Sequence, residues 1–155
     1  MKLAAMVMLL ACLVTAGCSP ALDLPAGFVE VDRENLGPYA QRAVSGDGVV
    51  IAIRSEPNPR NAALDFWVTA VSDELVNRRG YAPARQEALS ASDGTPGRLL
   101  VFTAQRSGAE FTYMTAIYVK GSRVLLAEAG GKTQAVAPKA EAIRKGLTSL
   151  RMGLL

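Results

Sequence analysis

The sequence predicts an α+β domain, a central antiparallel sheet of about six strands packed between helices. Three observations predict it. Short strand-like runs are joined by glycine-bearing turns of a few residues, the connection that antiparallel neighbours need. Two stretches, one mid-chain and one near the C-terminus, carry apolar residues at spacings of three and four, the period of an amphipathic helix. Finally, Phe111, Tyr113, Thr115 and Ile117 alternate with Thr112, Met114, Ala116 and Tyr118. Both faces of that strand therefore carry apolar groups, and helices are expected to cover much of the sheet.

Phe28-Val29-Glu30-Val31 reads as a short first strand, and Asp32 to Tyr39 as a loop with Gly37-Pro38. Ala40 to Ser45 and Val49 to Ser55 flank Gly46-Asp47-Gly48, a hairpin by its turn chemistry, because glycine takes positive φ without steric cost. Glu56-Pro57-Asn58-Pro59 should break the sheet. A helix is expected from about Asn61 to Arg79, with Leu64, Trp67, Val68, Val71 and Leu75 as its apolar stripe. Arg78 and Arg79 suit the negative end of its dipole, and Gly80 the C′ position. Four strands should follow: Ala84 to Ser90, Arg98 to Gln105, Glu110 to Val119 and Arg123 to Ala129. The last helix is expected from about Ala137 to Met152. Pro138 fits its first turn, and Ala140, Ile143, Leu147 and Leu150 form its stripe.

The N-terminus has a different character. Lys2 precedes an almost wholly apolar run, Leu3 to Leu13, and small residues lead to Cys18. That order is the signature of a secretory signal. The run is shorter than the roughly 20 residues a spanning helix needs. Thr15-Ala16-Gly17-Cys18 resembles the lipobox of bacterial lipoproteins, with Thr15 in place of the usual leucine. The resemblance implies diacylation of the Cys18 sulfur and cleavage after Gly17. The chain then divides into residues 1–17 as lipoprotein signal peptide, 18–26 as lipidated cysteine and short linker, and 27–155 as one α+β domain. Two or three acyl chains anchor stably where one does not. Ser19, where an aspartate would favour retention in the inner membrane, favours the outer membrane facing the periplasm.

Of two cysteines, Cys12 falls in the signal and Cys18 is used by the lipid. The mature domain then has neither disulfide nor free thiol, as a chain of this length allows. Removing Lys2 from 17 basic residues leaves 16 against 14 acidic ones. A net +2, spread along the chain, is too weak for a nucleic-acid footprint. The chain contains no histidine, which excludes a Ser-His-Asp triad and His-bearing zinc sites. No catalytic residue, cofactor site or metal site is therefore expected, and the chain is read as no enzyme. Gly131-Lys132-Thr133 follows a strand and precedes a helix like a phosphate loop, yet Leu126 stands where the motif needs glycine. A plain strand-to-helix turn is the better reading. Asp65, Asp73 and Glu74 do not converge three oxygens and read as a solvated face.

Pro25-Ala26-Gly27-Phe28 opens the domain. The Phe66-Trp67 helix, Gly80-Tyr81, the sheet, Glu128-Ala129-Gly130-Gly131 and Leu147-Thr148-Ser149-Leu150-Arg151 follow in order. From about Leu24 to Met152 this is similar to the PsbP-like superfamily, which includes the DcrB-type envelope lipoproteins. The resemblance implies an α/β/α sandwich and a binding or assembly module, with no shared catalytic motif. Trp67 is then a core residue, or a partner-binding anchor if exposed. Tyr81 plugs the helix–sheet junction. Glu128, if inward, is a buried carboxylate seeking Arg123 or Tyr113. Two functions follow. A protein-interaction or accessory module with an envelope partner needs an exposed apolar patch. The alternative, a small-ligand or lipid-binding domain, needs a pocket of a few hundred Å³ between sheet and helix.

Overall fold

The computed structural model describes residues 19–152; Cys18, the expected lipidation site, lies outside them. Seven strands form one antiparallel sheet in the order β1-β2-β3-β7-β6-β5-β4. They are β1 Phe28–Glu30, β2 Gln41–Ser45, β3 Val50–Pro57, β4 Ala82–Ser90, β5 Pro96–Arg106, β6 Ala109–Lys120 and β7 Arg123–Lys132. All seven strand-like runs join the sheet, one more than the six or so expected, and β1 adds at its edge through Val29 opposite Val44.

The order follows from one long crossover. After β3 the chain climbs one face as a helix, reaches the far edge at β4, and returns strand by strand until β7 closes against β3. Two-residue turns, Ser107-Gly108 and Gly121-Ser122, drive the return. Ser107 and Gly108 both have positive φ (50° and 76°), as the hairpin turn matched to sheet twist demands.

Apolar groups on both strand faces give two cores. One helix, α1 (Leu64–Asp73), continues as a π-turn over Glu74–Arg78 and ends with Gly80 at φ 69°. All five expected stripe residues pack with Leu100, Phe102, Ile117, Val124 and Leu126 of the sheet. On the other face, the helix expected from about Ala137 to Met152 is confined to Ala140–Thr148. Short α2 (Thr133–Val136) leads through a 3₁₀ turn containing Pro138 into α3 (Ala140–Thr148). Proline lacks the N–H that a continuous helix would need there and clashes with the preceding turn. Ile143, Leu147 and Leu150 are fully buried, and the Tyr118 hydroxyl donates to the Leu147 carbonyl at 2.9 Å. Thr133 opens α2 directly after β7, so Gly131-Lys132-Thr133 is the strand-to-helix turn expected.

The segment before β1, read as a linker, lies against the domain. Ala21 bridges Arg151 in antiparallel fashion, Leu22 is buried, and Gln41 accepts from the Leu22 N–H at 2.7 Å. The Asp23 N–H donates to Ser149 Oγ (2.7 Å), and Asp23 pairs with Arg151 at 2.5 Å. Gly146 in α3 leaves room for this approach. A Cβ there would stand 3.2 Å from the Asp23 carbonyl oxygen.

Candidate functional site

Helix α1 lies over β5 and β6 and leaves the β3–β7 part of its face open. The result is a cleft of about 550 Å³ between α1, the sheet and the loop before β2. Tyr39, Trp67, Tyr81 and Tyr113 supply aromatic walls, and Val71, Leu75 and Leu126 add aliphatic surface. Arg54, Glu56 and Glu128 form its polar inner end, and Glu74 and Arg79 its helical rim.

Strand geometry sets the inner end. Ala52 stands opposite Glu128 and Arg54 opposite Leu126, so Arg54 and Glu128 are diagonal neighbours on one face, within reach of long side chains. Arg54 Nη2 lies 3.2 Å from Glu128 Oε1, and Arg54 Nη1 contacts Glu56. The Glu128 side chain is only 12% exposed. Burial opposes charge on Arg54, but Glu128 and Glu56 together outweigh it and raise its pKa. The guanidinium thus stays charged. Gly130, beside Glu128, leaves room for the Tyr113 ring; a Cβ there would meet Tyr113 Cδ2 at 3.3 Å. Burial first, then the Glu128 carboxylate, pushes the Tyr113 hydroxyl far above its ordinary range.

The walls are fixed by contacts remote in sequence. Asn58 is buried at the exit of β3. Its Oδ1 accepts from the Ala62 N–H (2.9 Å) and from Trp67 Nε1 (3.2 Å), and its Nδ2 donates to the Ala62 carbonyl (3.0 Å). Asn58 therefore starts the crossover and orients the indole. The Tyr81 and Tyr113 rings meet edge to face at 5.8 Å, and the Arg106 guanidinium lies 5.5 Å from the Tyr81 ring centroid. The π-turn that carries Glu74 and Leu75 into the rim is a helix irregularity frequent at functional sites.

The residues singled out from sequence fall into place as follows. Trp67 is half-buried, a core packer that also faces the cleft. Tyr81 does sit at the helix–sheet junction. Glu128 points inward, and its cation is Arg54 rather than Arg123, whose Nε donates to Ser55 Oγ at 2.8 Å. Arg123 is odd-numbered on β7, so it projects to the opposite face from Glu128. Sequence reasoning missed Arg54, Glu56, Tyr39 and Asn58. A signal for the first two existed: charged residues at alternate positions ending an otherwise apolar strand, Val49 to Ile53. Among the described residues no group of three or more His, Cys, Asp or Glu could hold a metal, and no helix is long and apolar enough to cross a membrane.

The fold, an antiparallel sheet with helices on both faces, is similar to that of a PsbP protein. The chain is similar to cyanobacterial PsbP (CyanoP) from Synechocystis sp. PCC 6803, with a TM-score of 0.63 and 12% identity, covering 86% of each chain. It is also similar to LpqN, a Mycobacterium tuberculosis protein involved in cell envelope biogenesis, with a TM-score of 0.68 and 16% identity over 88% of this chain and 85% of that one. A Pseudomonas aeruginosa protein of unknown function, PA94, matches at a TM-score of 0.52 and 14% identity, covering 88% of this chain and 86% of that one. No family model and no curated protein sequence matches the chain.

Proposed function

We propose that the chain is a lipoprotein of the bacterial cell envelope, anchored through acylated Cys18, and that its domain is a non-enzymatic accessory module whose recognition site is the α1 cleft. The cleft is the observation that carries the binding reading. Its volume of about 550 Å³ lies within the usual range of ligand sites, and it combines apolar walls with a few placed polar groups. Among the described residues the exposed large apolar side chains, Val29 on β1 and Phe66 on α1, stand on separate elements and form no patch. This favours a small ligand, or a partner's side chain, over docking on a broad apolar surface.

The chemistry of the cleft supports binding over catalysis. Arg54 stays charged and Tyr113 stays neutral, so neither exchanges protons near pH 7. The lining offers no serine, threonine, cysteine or histidine. For location, the support is the signal with Thr15-Ala16-Gly17-Cys18 and the envelope role of LpqN. Ser19 favours the outer membrane, facing the periplasm.

Two experiments test this. Mass spectrometry of the wild type and of Cys18→Ala should find fatty acid on residue 18 of the first and an uncleaved, unacylated second; a bare wild-type cysteine sinks the anchor. Photo-crosslinking from position 71 in the native envelope should capture a small molecule or one partner. Capture only from position 66, on the exposed Phe66, transfers recognition to the outer surface of α1.

A further inference from the structure

We propose that the inner end of the α1 cleft binds an organic cation, an ammonium or guanidinium head carried on an apolar or aromatic body. The inference deepens the reading of the cleft as a recognition site and rests on it.

Charge balance comes first. At the inner end a single guanidinium, Arg54, serves two carboxylates, Glu56 and Glu128. One negative charge is left over, shared between Glu128, mostly buried, and Glu56, whose side chain is 39% exposed. A carboxylate offers about four lone-pair sites, so the pair can accept further donors. At the inner end no cation is free to receive an anion, because Arg54 is doubly engaged; at the rim Arg78 and Arg79 share the one carboxylate of Glu74. An anionic ligand meets a net negative floor. A neutral ligand leaves the excess charge uncompensated. A cation neutralises it.

The walls point the same way. Tyr39, Trp67, Tyr81 and Tyr113 line the cleft with ring surface, and ring faces attract cations, more strongly where water is excluded. The arrangement occurs within the fold itself, where Arg106 lies over Tyr81. Aliphatic Val71, Leu75 and Leu126 suit the apolar body of such a ligand.

Trp67 is the only tryptophan in the chain and faces the cleft, so its fluorescence reports occupancy. The full-length chain in a non-ionic detergent is titrated with three matched probes: phenethylamine (cation), phenylacetamide (neutral) and phenylacetate (anion). Saturable change is expected with phenethylamine, with at least tenfold weaker responses to the other two. Glu128→Gln and, independently, the more exposed Glu56→Gln should each weaken phenethylamine at least tenfold. Equal or tighter binding of the amide or the acetate overturns the cation assignment and leaves the cleft as a recognition site. The same holds if both Gln variants, with wild-type unfolding curves, keep phenethylamine affinity. Silence of Trp67 toward all three probes overturns the cation assignment; the cleft reading itself then stands or falls on the position-71 crosslink.

Discussion

At the scale of single residues, buried polar side chains here organise what the apolar pattern leaves open. Asn58 offers three side-chain hydrogen bonds to a turn and an indole. Asn58→Ala should cost about 1–3 kcal/mol, because buried donors lose their partner. Urea unfolding measures the loss, and Trp67 emission should shift to the red as its Nε1 meets water. Tyr118→Phe should cost about 1–2 kcal/mol by stranding the buried Leu147 carbonyl, with a lower denaturant midpoint at unchanged m-value. Glu128 was legible in the sequence as a carboxylate among apolar neighbours. Tyr113, one of the two partners expected for it, does face its carboxylate; its cation was not legible, since Arg54 lies 74 positions away and no local pattern ranks it above Arg123.

At the scale of elements, turn chemistry and periodicity locate strands and helices well, and boundaries fail where packing takes over. The mid-chain helix was expected to begin near Asn61. Asn61 instead has φ 49° and closes the Asn58 turn, so α1 starts at Leu64. The segment before β1 is the larger difference. Its Pro20 and Pro25 read as linker, but Leu22 is apolar and finds a buried place beside α3. Gly146 gives the segment space at the element scale, a glycine inside a helix that ordinarily weakens it by about 1 kcal/mol against alanine. Gly146→Val should push the segment off. Hydrogen exchange should then accelerate at the Leu22 and Asp23 amides, while the β6 and β7 amides stay protected. Unchanged protection at Leu22 would show that the segment docks without needing the space at Gly146.

For the whole molecule, the docked segment has a consequence for the proposed anchor. Ala21 is held at Arg151, so only Ser19 and Pro20 separate it from Cys18, a span of roughly 10 Å at full extension. The domain would sit close against the bilayer. Ser19, Pro20 and Tyr39 share one recess, and Tyr39 also lines the α1 cleft. Surface ion pairs contribute to the acid limb of stability. Lys139 beside Asp47, Arg144 beside Glu87 and Lys120 beside Asp93 hold these carboxyls below their ordinary values of 3.8, 4.5 and 3.8. Lowered folded values give stability that is complete above the unfolded pKa and lost as pH falls through the folded one. Thermal scans should therefore show Tm level from pH 6 to 8 and falling below about pH 4. Each contribution is modest because the pairs are exposed. Lys120→Met should flatten part of the limb; an identical acid profile in that variant would place the titrating groups elsewhere.

The sequence by itself determined the class of the domain, the order of its elements and the two-sided apolar character of its sheet. These follow from spacing of two, three and four residues and from turn residues, all local properties of the chain. Only the tertiary structure decided that β7 closes against β3, that α1 leaves part of its face open, and that Arg54, Glu56 and Glu128 meet there beneath four aromatic rings. The physical reason is that a strand's alternation tells which residues share a face, while the neighbour across the ladder is chosen by the packing of the whole sheet.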